Sequence, residues 1–461
     1  MTSDKQVLLS GFLHQLPENV ATRLAKAVEV DRLIGGELPH EEILRALRPQ
    51  LRVPPKAPRM PTPQRFFCNP FEDLLIDSER TIKQKGRIAR SSITPVWNWL
   101  AHDLMLQRHQ ELTEAIRKAI VAGREEEIQY KLADLWSESA AALKAALADE
   151  KRRNFAARHL GGVAVAEDAA EIALVIGAAK IVCDLQKRLP RPIVNLSEDD
   201  IDYLRDLSDR LFASDPDFAP YVALIVMGRL QRPWEALRLA AAISRKSNDT
   251  VLSSTDMGIV GELLFSDLDT YASRIQSARP VDFDWQTLLA NLAAFSDLSS
   301  GMVKELGIRR DGKWGQRLAK DRGAVAQIME GLIERAPKEI LAALPPYKLG
   351  GAPKSQKPID LSRPSDPERV ARAMRYASLM MHSRPFSVAA SFSAKLNEIV
   401  NETAIEMRTY AEDVVREFRI TPREMRGHAE AHLAVTLNLC ELVLGQEETD
   451  FLRRRARVPA A

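Results

Sequence analysis

The sequence predicts an all-α protein, and three observations carry that reading. Almost no run alternates polar and apolar residues with period two, the mark of a half-buried strand. Apolar residues recur instead at steps of three and four, as they do on one face of a helix. And the stretch EDAAEIALVIGAAKIVCDLQKRL, Glu167 to Leu189, is apolar on every side of a helical wheel from Ile172 to Val182, except at Lys180. A helix apolar all round is buried among other helices. This one is too short to span a bilayer, which takes about 20 apolar residues. Asp168, Glu171 and Asp184 flank it closely. It reads as the central post of a helical domain.

Size and composition bound the rest. A chain of 461 residues has room for two to four domains of ~150 residues each. Apolar content of 45% and charged content of 28% are those of a core-forming globular chain. A net charge of +2 gives no global attraction to nucleic acid or an anionic membrane. Cys68, Cys183 and Cys440 lie far apart and form no CxxC, which fits a reducing compartment. Cys183, inside the post, reads as a small core hydrophobe. The opening MTSDKQVLLSGFLHQLPEN lacks the basic and apolar regions of a secretory signal. The expectation is a cytosolic, unanchored chain, of a composition that fits a bacterial source.

Taken in order, residues 1–50 read as a small helical unit. Val20, Leu24, Ala27 and Val28 form its first stripe, ended by Gly35-Gly36, and His40 to Leu47 form a second helix after Pro39. Residues 53–71 are a connector, since the five prolines of VPPKAPRMPTPQRFF fix φ and remove backbone donors. Its aromatic end, Phe66, Phe67 and Phe71, is expected to dock on a neighbour, and Asn69-Pro70-Phe71 reads as a turn.

Residues 72–344 form the expected helical core. A hairpin occupies 94–148: Thr94 caps, Pro95 takes the first helical position, and the helix runs to Gly123. The second arm, Glu125 to Leu147, carries Ile128, Leu132, Leu135, Ala142 and Leu143 on one face. The short break between the arms predicts antiparallel packing. KRRNFAARHLGG then leads into the buried helix 167–189, which Pro190 and Pro192 end. Ser197 and Asp200 have the spacing of a shortened capping box. Helices follow across 199–344, broken at Pro216, Gln231–Pro233, Ser247–Thr250 and Pro280. Within them GRLQRPWEALRLAAA, Gly228 to Ala242, resembles the inter-helix turn of a tetratricopeptide-type repeat. The likeness covers about one unit. About 34 residues on, the period such repeats keep, ELLFSDLDTY does not repeat it. The resemblance implies stacked helical hairpins; a degenerate, solenoid-like array and an irregular bundle both remain open.

Residues 345–365 are a second linker, dominated by Pro, Gly, Lys and Ser. In 366–452 Asp366 caps a helix with Pro367 at its first position, or Ser365 caps it with Glu368, and the helix runs to about His382. Pro385 is expected to open a very long helix. Its stripe is Phe392, Leu396, Ile399, Thr403, Met407, Tyr410, Val414 and Phe418, and its length on the order of 45–50 Å. Thr421-Pro422-Arg423-Glu424 is a capping box for a last helix bearing Leu433, Leu437, Cys440 and Leu444. These helices predict a C-terminal three-helix bundle, followed by a frayed basic tail at 453–461.

Few residues suggest chemistry. His428 and His432 are four apart on a helix, the spacing of a two-histidine metal site, with Glu430 between them. The HExxH order is not met, because Ala429 follows His428. His102 and His109 are seven apart. No Gly-rich phosphate loop, Walker lysine, GxSxG elbow or kinase set is present. IRRDGKWGQRLAKDRG places Arg309, Arg310, Lys313, Arg317, Lys320 and Arg322 around Trp314, a combination able to grip phosphate or an acidic partner, though Asp311 and Asp321 dilute it. Lys83, Lys85, Arg87 and Arg90 make another basic run.

These readings predict a non-catalytic cytosolic scaffold with protein partners and no cofactor. Homodimerisation through the 386–418 helix is one mode of association; ordinary packing within the chain is the other account of its stripe. The alternative is an enzyme or ligand-binding protein with an unmarked pocket, metal-bearing if His428 and His432 serve. A nucleic-acid role through the 309–317 segment comes third, disfavoured by the near-neutral charge.

Overall fold

The computed structural model describes residues 13, 18–33, 38–47, 61–77, 83–246, 248–347, 359–422 and 426–457. It is all-α apart from one pair of two-residue strands, Leu75–Ile76 and Ile88–Ala89, which run parallel with Leu75 opposite Ile88. Among the described residues no helix is long and apolar enough to cross a membrane. The chain forms two compact units: residues 1–69 with 107–135, and residues 70–106 with 136–461.

In the first unit the Glu18–Leu33 and His40–Leu47 helices pack through Ala21, Ala25 and Leu47, with Leu24, Ile43 and Leu44 around them. Arg32–Glu41 and His40–Asp31 pairs, at 3.1 and 2.9 Å, close their open edges. Thr62 caps the short Pro63–Phe67 helix by accepting from the Arg65 amide. Asn69-Pro70-Phe71 begins a 3₁₀ turn in which Pro70 and Phe71 are buried. Residues 34–37 and 48–60, with Gly35-Gly36 and most of the connector prolines, lie outside the described residues.

The second unit is locked at a buried polar junction. The expected single post is two helices, Val163–Gly177 and Ala179–Arg188, because the backbone leaves the helical region at Ala178 (φ −103°, ψ 18°). Lys180 is exposed, as its place on the wheel requires. Asp168 and Glu171, read from the sequence as flanking charges, are buried. They hold a strap, residues 83–92. Lys83 Nζ lies 2.7 Å from Asp168 Oδ1 and also bonds Glu171 and the Arg87 carbonyl. The Gly86 amide and the Tyr221 hydroxyl donate to Glu171 Oε1, the latter at 2.6 Å. The Ala89 amide (3.1 Å) and Ser92 hydroxyl (2.6 Å) donate to Asp168 Oδ2. Gly86 sits at φ +86° against Leu224 and Leu263, where a Cβ would fall 2.6 Å from Leu224 Cδ1. Gln84–Ser266 and Arg87–Asp267 bonds, at 2.7 and 2.6 Å, fasten the strap's other side. Burial and the adjacent Glu171 carboxylate push the Tyr221 phenol far above its ordinary range, so it stays a donor.

Ser92 thereby changes the helix that follows. The helix spans Ile93–Trp99 and starts one residue before Thr94. Ser92 stands at the cap position but gives its hydroxyl to Asp168. The expected unbroken run to Gly123 is interrupted by a π-turn, Leu100–Leu104, closed by Met105 N to Leu100 O at 3.0 Å. The Leu106–Ala122 helix resumes beyond it.

Asp73 makes a second buried junction. It accepts from Gln186 Nε2 (2.9 Å) and Arg229 Nη1 (2.8 Å). Arg229 also bonds the Leu189 and Gln186 carbonyls, capping the end of the Ala179–Arg188 helix. Gly228, which opens the repeat-like segment, packs on this junction: a Cβ there would lie 2.1 Å from the Asp73 carbonyl oxygen. The Glu198–Ser214 helix carries the full capping box of Ser197 and Asp200. Ala236–Ser244 packs against Glu198–Ser214, Tyr221–Arg229, Gly258–Gln276 and Trp285–Leu306.

The Pro367–His382 helix starts as expected, with Asp366 accepting from the Glu368 and Arg369 amides at 3.0 and 3.4 Å. Pro385 does not open the long helix. It lies in a 3₁₀ turn, Arg384–Phe386, and Ser391 takes φ +65° before the helix begins at Ser393 and runs to Ile420. Its 28 residues span about 42 Å at the usual rise. Leu396, Ile399, Thr403, Met407, Tyr410, Val414 and Phe418 are buried, and the helix packs on Arg426–Leu444 and Gln446–Arg457. The tail is helical, not frayed, through Arg457, because Leu452 and Ala456 are buried and Arg453 bonds Glu441 and Asp450. Arg423 and Glu424, and residues 348–358 of the second linker, lie outside the described residues. Burial pushes the Cys440 thiol up to about 12, so it packs as a core hydrophobe. Cys183 is only half-buried, its thiol raised by the same desolvation.

Glu171→Ala leaves Lys83 with half its countercharge and the Gly86 and Tyr221 donors unpaired. It should lower unfolding free energy by about 3–5 kcal/mol, and Tyr221→Phe by about 1 kcal/mol, both measured by denaturant titration.

Candidate functional site

A groove of about 860 Å³ lies in the second unit, edged by Trp99, Asp103, Leu104, Phe155 and His159. Three pieces of chain build it. The π-turn supplies Asp103 and Leu104. Inserted turns of this kind are frequent at functional sites. The end of the Glu125–Ala146 helix supplies a floor of Ala142, Ala145 and Ala146, spaced to lie on one face. The Glu150–Leu160 helix supplies the far wall.

The corner between the last two helices is held by polar groups. Asp149 caps the new helix by accepting from the Arg152 amide at 2.9 Å. Arg152 and Arg153 reach back to the Ala145 and Leu147 carbonyls, at 2.7 and 3.0 Å, answering acceptors the old helix leaves open. Gly161, at φ +91°, ends the wall.

Aromatic rings line the opening. Phe155 and His159 stack at 6.3 Å and 16°, and Trp99 lies 6.1 Å from His159. Phe155 is 65% exposed. His159 Nε2 meets Asp103 Oδ2 at 3.1 Å, tying the wall to the π-turn. The described lining contains no hydroxyl or thiol nucleophile. The lining combines an apolar floor, an aromatic edge and a charged rim.

A smaller cavity, about 310 Å³, opens beside the strap between Lys83, Arg87, Ser92 and Asp168 on one side and Ala164 and Val165 on the other. Its Lys83 and Asp168 charges are already joined to one another.

The residues singled out from sequence fall elsewhere. His428 is exposed, whereas His432 is buried with Nε2 2.6 Å from the Arg363 carbonyl, so the two rings meet different surroundings. Among the described residues no group of three or more His, Cys, Asp or Glu gathers to hold a metal. His102 is exposed and His109 buried. In the basic segment Trp314 is 1% exposed, its indole against Gly261 and its Nε1 3.1 Å from Glu262. Arg317 bonds Glu262 (2.9 Å) and Asp269 (2.6 Å) over the Phe265 ring. Lys313 lies 3.5 Å from Glu262, and Arg309 pairs with Asp311 at 2.8 Å. Arg310 is exposed. The groove itself had only a faint sequence signal: Phe155, a lone large apolar residue in the charged run KRRNFAARH.

Burial alone would raise the Glu262 carboxyl. The Trp314 hydrogen bond with Lys313 and Arg317 outweighs it and holds the group below its ordinary range. A depressed carboxyl stabilises the fold above its unfolded-state pKa and loses that contribution as pH falls through the folded value. Glu262→Gln should therefore cost about 1 kcal/mol at neutral pH, kept small by solvent screening of this partly exposed group. The gap to wild type should close as pH falls below about 4, read from urea melts across pH.

No protein-family model, no curated protein and no solved structure matches this chain.

Proposed function

We propose that this chain is a non-catalytic interaction protein, and that the groove between the π-turn and the Glu150–Leu160 helix receives a segment of a protein partner. The observation that carries the reading is Phe155, 65% exposed at the lip of an 860 Å³ alanine-floored groove. An aromatic ring set beside an apolar concavity can act as the anchor of an interface once a partner covers it. Binding sites occupy about 300–1,000 Å³, and the floor of small residues allows close approach of another backbone. The acid and base at the rim, Asp103 and His159, are paired with each other and fix the walls.

Self-association through the 386–418 segment has less support. The stripe on which it would rest is covered by helices of the same chain. The basic segment at 309–317 likewise offers little to nucleic acid, since Glu262, Asp269 and Asp311 answer most of its charge.

Phe155→Asp and Ala145→Trp, which charge the lip and fill the floor, should each reduce partner recovery from a nuclease-treated native extract at least about tenfold. Both positions are exposed, so the melting temperature should move little. Partner capture indifferent to both substitutions, or no partner at all, would overturn the reading.

A further inference from the structure

We infer that the segment received by the groove is acidic: a short stretch whose large apolar side chain is flanked by Asp or Glu. This rests on the groove being a docking site. The new content is the charge of the partner, and the argument is the balance of satisfied and unsatisfied charge around Phe155.

At 3.6 residues per turn, Lys151, Arg152, Phe155, Arg158 and His159 fall within an arc of roughly 120°, with Phe155 near its middle. No acid of the helix shares that arc; Glu150 points away from it. The two carboxylates that reach the groove are both engaged. Asp103 holds His159 at 3.1 Å, and Asp149 caps the helix while pairing with Arg152 at 3.3 Å. Arg152 is further held by the Ala145 carbonyl. Lys151 and Arg158 are exposed and make no ion pair among the described residues. What remains unanswered on this face, among the described residues, is positive charge one turn before and one turn after an exposed ring, on the flank away from Arg152 and His159.

That pattern fits carboxylates on either side of an apolar anchor. It fits a nucleic acid less well. Backbone binding neutralises many phosphates, whereas this face has two free cations, and its alanine floor offers no donor to a phosphate.

The probe is a displayed random-peptide library, selected on the wild-type chain and counter-selected on Phe155→Ser. Enriched peptides should carry net negative charge around one aromatic or large aliphatic residue. The strongest peptide, resynthesised, should bind about tenfold more weakly to Lys151→Glu/Arg158→Glu. It should weaken in the same direction on Lys151→Ala/Arg158→Ala, and lose affinity as salt rises. Neutral or basic peptides that still depend on Phe155 would overturn the inference and leave the docking site standing. No peptide dependent on Phe155 would overturn both. Displacement of the peptide by a single-stranded oligonucleotide of equal charge and comparable affinity would overturn the inference in favour of nucleic acid.

Discussion

Two carboxylates buried on one face of the Val163–Gly177 helix organise the larger unit. Asp168 and Glu171 gather a lysine, two backbone amides, a serine hydroxyl and a tyrosine hydroxyl. A buried carboxylate is costly unless it is paired and its lone pairs are filled. Here the strap 83–92 supplies most of what is needed. The strap in turn has little apolar surface of its own and is ordered by what it donates. Each part makes the other tenable, so the junction is cooperative in origin.

One wall of the groove takes its position from that junction. Ser92 is both a donor to Asp168 and the residue before the Ile93–Trp99 helix. Anchoring Ser92 fixes where that helix starts, hence where Trp99 and the π-turn stand. The opposite wall is set independently by Asp149, Arg152 and Arg153 at the corner after Ala146. The His159–Asp103 pair joins the two walls across the opening. Edges held in this way would preorganise the groove for the partner proposed above, so that less conformational entropy is lost on docking.

Much of the fold was legible in the sequence. Helical periodicity and caps located most elements: the Asp366-Pro367 start and the Ser197–Asp200 box stand as read. What escaped was non-local. Lys83 and Arg87 read as part of a basic run, yet their partners lie 88 and 180 residues away in sequence. Asp168 and Glu171 looked like polar ends of an apolar post, because no local pattern reveals a strap crossing it. The break at Ala178 and the π-turn at Leu100–Leu104 have no Pro or paired Gly to announce them. Trp314 sat among cations in the sequence but is buried, because Gly261 on another helix leaves room for the indole. Of these features the strap and the π-turn bear on the candidate groove, whose faint trace in the sequence is the isolated Phe155.

The central claim is that the Asp168–Glu171 pair holds the strap as part of the core. Residue-resolved amide hydrogen exchange tests it most directly, at Gly86 and Ala89, whose N–H groups donate to those carboxylates. The account predicts that both amides exchange only with global unfolding, at the same free energy as the centre of the Val163–Gly177 helix. Exchange at the rate of an open loop, while that helix stays protected, would contradict it.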